Sequence, residues 1–187
     1  MSETTRREAE HVLRTYFRAK DENRPHLMSE AFSATATLET VVKTSAISFP
    51  PVSRGLAPIT DVLVRKFAQS YENVYSFYLE RPPQQVSLAN FSCDWLVGMS
   101  EKESGRAKVG CGRYDWQFQP GGRGLADRLV ITIEAMQVLS ADRLDSILQW
   151  LTSLPYPWCP ARAVLKTAPA ISELEPVFNY VRRHKPV

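Results

Sequence analysis

The chain of 187 residues lacks a long apolar run and contains only three cysteines. No stretch of about 18 apolar residues could span a bilayer, and the charged residues 1–10 lack the apolar segment of a secretion signal. Cys93, Cys111 and Cys159 form no CxxC pair and leave an odd number, so neither a disulfide framework nor a zinc site is indicated. We therefore expect a cytoplasmic protein with no membrane partner and no bound metal.

Motifs with strict catalytic or cofactor-binding spacing are also missing. No GxGxxG or Walker loop precedes a helix, and neither HExxH nor GxSxG occurs. The net charge of +3 arises from 23 basic and 20 acidic residues, so the basic excess is small. Its densest cluster, residues 182–185, is typical of a solvated tail. The sequence predicts no cofactor and no nucleic-acid partner.

What the sequence does contain is a run of predicted helices. With 44% hydrophobic residues, the chain fits a single domain over residues 1–187. The predicted helices are an amphipathic one over 5–21, a short one opened by Pro25 and a third opened by Pro58. Between the last two, residues 35–38 favour a strand, and 41–54 favour an edge strand or a loop because of paired prolines.

From Tyr71 onward the apolar residues alternate with a period of two. This pattern predicts strands at 73–80, 87–99, 107–119 and 128–139. Polar turns at 100–106 and 120–124 would join the last three strands into an antiparallel meander. Helices and strands in separate runs are typical of an α+β fold. The domain core is expected to span about residues 5–140.

A C-terminal extension, residues 141–187, follows the last predicted strand. One helix is expected to begin at Asp142, the proline-rich segment 154–160 should be extended, and another helix should contain Val177. Exposed aromatic side chains in this extension would be costly, so we expect it to pack on the domain or on a second subunit. A lid or rim over a pocket is the alternative.

The segment from Tyr16 to Phe67 carries a recognisable packing pattern. It contains Y-F-R-A-K-D-E-N-R-P-H-L-M-S-E-A-F-S-A-T-A-T-L-E and, after a gap, R-G-L-A-P-I-T-D-V-L-V-R-K-F. This pattern resembles the opening half of the NTF2-like superfamily, which includes SnoaL-like and ketosteroid isomerase-like proteins with a cystatin-like fold, and it indicates no specific family within it. The resemblance implies an α+β cone, with N-terminal helices packed on a strongly curved, mostly antiparallel sheet and a cavity in its mouth.

The resemblance to ketosteroid isomerases implies roles for two positions. Tyr16 falls where those enzymes place a pocket tyrosine that donates a hydrogen bond to a developing enolate. Their general base is an aspartate just after the first strand, and the matching residue here is Thr40. A threonine hydroxyl is not appreciably ionised near neutral pH, which argues against this isomerase chemistry. A structural role in the core is the alternative for Tyr16.

Alternation along 107–119 separates a polar face from an aromatic one. Arg113 and Asp115 lie two residues apart on the polar face, close enough for a charge-assisted hydrogen bond. Epoxide hydrolases of the superfamily use an arginine between two aspartates to activate water, and Glu134 on the next strand is the candidate for a second carboxylate. A structural ion pair is the alternative for Arg113 and Asp115.

The opposite face of this strand holds Tyr114, Trp116 and Phe118. Either face could line the cavity or meet a second subunit. The aromatic set, together with the C-terminal extension, predicts a homodimer.

These patterns together predict a cavity that binds a small, largely apolar organic molecule. The predicted ligand-binding residues are Tyr16, Thr40, Trp95, Arg113 and Met136. The predicted catalytic residues, for isomerase, cyclase or hydrolase chemistry, are Tyr16, Asp115 and Glu134. The alternative function is a non-catalytic ligand-binding or dimeric interaction module, which the threonine at position 40 favours.

Overall fold

The computed structural model describes residues 2–83, 88–120 and 123–183, with side chains from Ala9 onward. Its helices are α1 (Ser2–Asp21), α2 (Leu56–Thr60), α3 (Phe67–Ser70), α4 (Leu144–Ser153), α5 (Ala161–Lys166) and α6 (Glu175–Arg183). Its strands are β1 (Phe32–Val42), β2 (Val52–Arg54), β3 (Tyr71–Tyr78), β4 (Asn90–Glu101), β5 (Ala107–Phe118) and β6 (Ala126–Leu139). Short 3₁₀ helices occur at Pro25–Glu30, Ala141–Arg143 and Ser172–Leu174, and the π-helical stretch Asp61–Lys66 joins α2 to α3.

The strands form one curved sheet in the order β2-β1-β6-β5-β4-β3. All neighbours pair antiparallel except β1 and β6, which run parallel with Leu38 opposite Leu129. The register between β5 and β6 shifts between Cys111 and Gly112, the mark of a β-bulge, and a bulge bends the strand that carries it. The predicted mostly antiparallel α+β cone is confirmed.

Helix α1 packs on the concave face of the sheet. Its apolar residues repeat at helical spacing and are all buried: Val12, Leu13, Tyr16 and Phe17. They meet the alternate side chains of β4 and β5, which are Phe91, Cys93, Trp95, Val97, Tyr114, Trp116 and Phe118. Full burial of a large apolar side chain contributes about 1.5–3 kcal/mol, so this aromatic layer is a main source of stability.

The C-terminal extension covers part of the convex face. The sheet residues beneath it are Phe77, Leu96, Val109, Cys111 and Leu139. They pack, together with Leu79 just after β3, against Ile147, Trp150, Leu151, Val177 and Phe178. The Tyr180 hydroxyl donates to Asp94 Oδ1 at 2.9 Å, which fixes α6 to β4. The prediction that the extension packs on the domain is confirmed for its described residues, whereas His184 and Lys185 of the basic cluster lie outside them.

The premise of the predicted homodimer is wrong. The aromatic set of β5, Tyr114, Trp116 and Phe118, lies on the concave face and is buried within its own chain. The rest of the convex face is mixed. Arg128 donates two hydrogen bonds to the Glu39 carboxylate there at 2.9 and 3.0 Å, and Val41 and Val52 on the same face are exposed. Dimerisation stays a prediction, and any dimer would have to use another surface.

Other differences from the sequence-based expectations are local. Helix α5 was not predicted, because its proline-rich approach hides the helical spacing. The strand expected at 87–99 is observed from Asn90 to Glu101, while residues 84–87 lie outside the described chain. The turn expected at 120–124 includes residues 121 and 122, which are also not described.

Candidate functional site

A cavity of about 50 Å³ lies between α1, the concave face of the sheet and the loop that joins β1 to β2. Its walls are mostly apolar and include Ile47, Phe49, Leu63, Phe67, Val97 and Ile133. Ligand pockets for drug-sized molecules measure roughly 300–1,000 Å³, whereas a single water needs about 10–15 Å³. In this form the cavity has room for a few waters or a very small organic molecule.

Two tyrosines bring hydroxyl groups to the cavity wall. Tyr16 from α1 and Tyr114 from β5 both line it, with ring centroids 6.0 Å apart in an edge-to-face arrangement. Burial raises the pKa of Tyr16, and a hydrogen-bonding interaction with Tyr114 opposes this effect only in part. Burial also raises the pKa of Tyr114 well above its ordinary value. Both phenols therefore keep their protons at neutral pH, and because Tyr114 donates to the Tyr16 oxygen, the Tyr16 proton can be donated to a ligand.

The one charged side chain in the described lining is Lys20, at the end of α1. Its ammonium donates to Asp21 Oδ1 at 2.6 Å and to Ser76 Oγ at 2.7 Å, and the Lys20 side chain is only 7% exposed. The same ammonium lies 5.1 Å from the ring centroid of Phe67, a favourable cation–π distance.

Asp21 holds this lysine in place. Its carboxylate accepts hydrogen bonds from the Ser76 backbone N–H at 2.9 Å and from the Ser76 hydroxyl at 2.9 Å. Burial raises the pKa of Asp21, although Lys20 and Ser76 act in the opposite direction. The Lys20–Asp21–Ser76 network thereby ties the end of α1 to β3.

Thr40 fixes the loop that closes the cavity. Its hydroxyl donates to the Pro50 carbonyl at 2.6 Å, and its backbone N–H donates to the Pro51 carbonyl at 3.0 Å. Thr40 also lines the cavity. Because its hydroxyl proton is committed to Pro50, Thr40 can offer a ligand only its oxygen lone pairs.

Lys108 fixes the same loop from the other side. Its buried ammonium donates to the Ala46 carbonyl at 2.8 Å and to the Tyr71 hydroxyl at 3.2 Å. It also pairs with the Glu101 carboxylate at 3.3 Å. Since Ile47 follows directly on Ala46 and lines the cavity, Lys108 helps to keep that wall closed.

The Glu101 ion pair predicts a pH dependence of stability. Hydrogen bonds from Ser104 and Lys108, the largest causes, lower the pKa of Glu101 to about 2. A lowered folded-state pKa contributes stability above the unfolded value of 4.5, and this contribution is lost as pH falls toward 2. We expect Glu101→Gln to cost about 1 kcal/mol of unfolding free energy at pH 7 and far less at pH 2.5, by urea titration. Glu103→Gln in the same exposed turn is the control, and an equal, pH-independent loss in both variants would contradict the assignment.

The opposite wall comes from the helix formed by α2, the π-helical stretch and α3. Leu63 in the π-helical stretch and Phe67 just after it both line the cavity. A π-helical turn widens the helix by one residue per hydrogen bond, and such turns are frequent at functional sites. The apolar spacing of this segment predicted a helix but not its π geometry.

The structure brings four of the predicted residues together at the cavity: Tyr16, Thr40, Trp95 and Met136. The Trp95 ring stacks on Tyr114 with centroids 5.5 Å apart, so both shape the same wall. Sequence reasoning missed Lys20 and assigned Tyr114 to an undecided face. The signal for Lys20 was its position four residues after Tyr16, which places both on one side of α1.

The three predicted charged residues lie elsewhere, which corrects the proposed acid–base set. Arg113 and Asp115 are on the exposed convex face, where Asp115 Oδ1 accepts from Ser92 Oγ at 2.5 Å and Arg113 Nε at 3.2 Å. Glu134 pairs with Lys43 at 2.8 Å on the surface. The alternation of β5 turns Tyr114 toward the cavity and its two neighbours away from it. Glu134 is the unpaired extra residue of β6 at the register shift, next to Ile133, which lines the cavity.

Two absences concern the described part of the chain. No group of three or more histidine, cysteine, aspartate or glutamate residues in it is arranged to hold a metal ion. None of its helices is both long enough and apolar enough to cross a membrane.

Comparisons with known proteins identify the fold. No protein-family model and no curated protein sequence matches the chain. A nuclear transport factor 2 (NTF2-like) superfamily protein from Salmonella enterica serovar Typhimurium is similar in structure, with a TM-score of 0.57 and 15% identity over 72% of this chain and 94% of that chain. A putative isomerase from Rhodopseudomonas palustris has a TM-score of 0.55 and 13% identity over 76% and 96% of the two chains.

A third similar structure is the hexachlorocyclohexane dehydrochlorinase LinA-type3 from Novosphingobium barchaimii, with a TM-score of 0.58 and 12% identity over 72% of this chain and 89% of that chain. These identities are too low to transfer an activity, but the shared architecture agrees with the sheet order and cavity described above. The chain therefore has the fold of the NTF2-like superfamily, with no specific family within it indicated.

Proposed function

We propose that the protein binds a small, largely apolar organic molecule in the cavity and that the Tyr16 hydroxyl donates a hydrogen bond to it. The observation that carries the proposal is a neutral hydroxyl pair, Tyr16 and Tyr114, in a mostly apolar cavity. Small-molecule sites typically combine apolar walls with a few placed polar groups, and this cavity has that composition.

The composition of the cavity wall favours ligand binding over a reaction that needs a carboxylate or histidine base. None of the described lining residues is a carboxylate or a histidine, and the position of the isomerase base is Thr40, whose proton is committed to Pro50. A proton abstraction from a bound molecule needs a base within about 2.6–3.2 Å. The non-catalytic binding module is therefore the function that the geometry supports best.

Acid–base catalysis of isomerase, cyclase or hydrolase type is the second candidate. It is favoured by one observation, the presence of Lys20 in the cavity wall together with Tyr16. Tyr16 would act as the hydrogen-bond donor, and the Lys20 ammonium would stabilise negative charge that develops on the bound molecule. The similar solved structures include a putative isomerase and a dehydrochlorinase, which is compatible with either candidate.

The test of the binding proposal uses cyclopentanone, a small and largely apolar probe. We expect Tyr16→Phe to weaken binding of cyclopentanone about tenfold, because one buried hydrogen bond contributes about 1 kcal/mol or slightly more. Dissociation constants measured by ligand-observed NMR titration check this result.

Tyr156→Phe is the matched control. Tyr156 is 54% exposed and does not line the cavity, so the same chemical change there should leave the dissociation constant unchanged. Equal affinities of the wild type and Tyr16→Phe would refute the role of the hydroxyl. No binding of any small apolar compound to the wild type would refute the proposed function itself.

A further inference from the structure

Lys20 has one unused hydrogen-bond donor at the cavity wall. An ammonium carries three N–H groups, and those of Lys20 reach Asp21 and Ser76, with no third acceptor among the residues that the structure describes. The Lys20 side chain is only 7% exposed, so its contact with solvent is small. A buried donor gains stability from an acceptor, so an acceptor atom of a ligand placed beside the Lys20 ammonium would bind favourably.

The Lys20 charge is already balanced. Asp21 lies 2.6 Å from the ammonium, and Ser76 holds the carboxylate through both its backbone N–H and its hydroxyl. The carboxylate therefore cannot move away without losing two hydrogen bonds. No other charged side chain is among the described lining residues, so this part of the cavity is electrically neutral overall.

The neutral site restricts the charge of its ligand. A ligand carboxylate would place a second anion beside Asp21, and a ligand ammonium would place a second cation beside Lys20. Burial of an unbalanced charge in apolar surroundings is far more costly than burial of a neutral oxygen that accepts a hydrogen bond. Lys20 and Tyr16, which both line the cavity and can donate hydrogen bonds, suit an oxygen acceptor on an otherwise apolar molecule.

We infer that the ligand is an uncharged compound with a carbonyl-type oxygen, that Lys20 and Tyr16 both bind this oxygen, and that carboxylates and amines of equal size are excluded. This inference rests on the proposed function and names the ligand class for the same cavity. Lys20 also borders a surface depression of about 210 Å³ beyond Phe67, so the oxygen would lie at the end of the cavity nearest to solvent.

The experiment uses four probes with six non-hydrogen atoms each: cyclopentanone, cyclopropanecarboxylate, cyclopentylammonium and methylcyclopentane. Dissociation constants are measured by NMR titration at pH 7 for the wild type and for Lys20→Met. The wild type should bind cyclopentanone at least tenfold more tightly than each of the other three. Lys20→Met should lose most of the preference for cyclopentanone over methylcyclopentane, because hydrogen bonds to charged groups are the stronger ones.

A double variant controls for the possibility that Lys20→Met does not fold. Lys20→Met/Asp21→Asn removes both charges and keeps an amide oxygen for the Ser76 N–H, so it should fold and show the same loss of preference. The carbonyl stretching frequency of bound cyclopentanone, measured by infrared spectroscopy, should be lower in the wild type than in either variant. A merely structural role of Lys20 would leave this frequency unchanged.

The results of these titrations distinguish a failure of the proposed function from a failure of the inference about the ligand class. If no probe binds the wild type, the proposed function fails. If methylcyclopentane and cyclopentanone bind equally well, or if cyclopropanecarboxylate binds most tightly, the cavity still binds small molecules but the inference about the ligand class is overturned.

Discussion

Gly112→Ala is expected to lower the free energy of unfolding by about 3 kcal/mol or more, because overpacking against backbone cannot be relieved by a rotamer change. A Cβ atom at this position would lie 1.8 Å from the Thr132 carbonyl oxygen and 2.8 Å from Cζ2 of Trp95. Gly112 also sits at the register shift between β5 and β6, where the sheet bends. Urea unfolding followed by circular dichroism measures the loss.

Gly98→Ala provides the comparison. A Cβ atom there would meet only the Leu151 side chain, with its Cδ1 atom at 2.2 Å. A leucine side chain can move, so the loss should be clearly smaller than for Gly112→Ala. Equal losses of unfolding free energy in the two variants would show that the contact with the Thr132 backbone is not the cause of the destabilisation.

Lys20→Met should cost about 3 kcal/mol of unfolding free energy at pH 7, because it leaves the Asp21 carboxylate buried without its ion-pair partner. Burial already raises the pKa of Asp21 with Lys20 present, and loss of the lysine raises it further. A raised folded-state pKa means that the folded state binds more protons between the unfolded value of 3.8 and the folded one, so stability falls as pH rises through this window.

The loss in Lys20→Met should accordingly be small near pH 4 and larger at pH 7. Urea titrations at the two pH values measure it. Lys20→Met/Asp21→Asn should recover most of the stability, since replacing both charges leaves none unpaired. Two results would show that the Lys20–Asp21 ion pair is not the source of this stability. One is a loss of unfolding free energy that is equal at both pH values, and the other is a larger loss in the double variant than in Lys20→Met.

The fold could be predicted further than the site because periodicity is a local property. Alternation along β5 assigned Tyr114 and Asp115 correctly to opposite faces. The alternation could not predict which face of β5 lines the cavity, because that depends on where α1 and the C-terminal extension pack. The wrong placement of Asp115 in the cavity has this single cause.

Lys20 was missed for a related reason. A lysine at the end of an amphipathic helix, followed by Asp21 and Glu22, has the pattern of a solvated helix end. Its burial depends on Ser76 from a distant strand and on Phe67 at the end of the π-helical stretch. Neither contact can be read from local spacing.

The C-terminal extension has a consequence for how the sheet is protected. Leu96, Val109 and Cys111 on the convex face are covered by α4 and α6 of the same chain. An intramolecular cover acts at a fixed effective concentration, whereas a cover supplied by a second subunit is lost on dilution. The shielding of this apolar surface is therefore independent of how much protein is present.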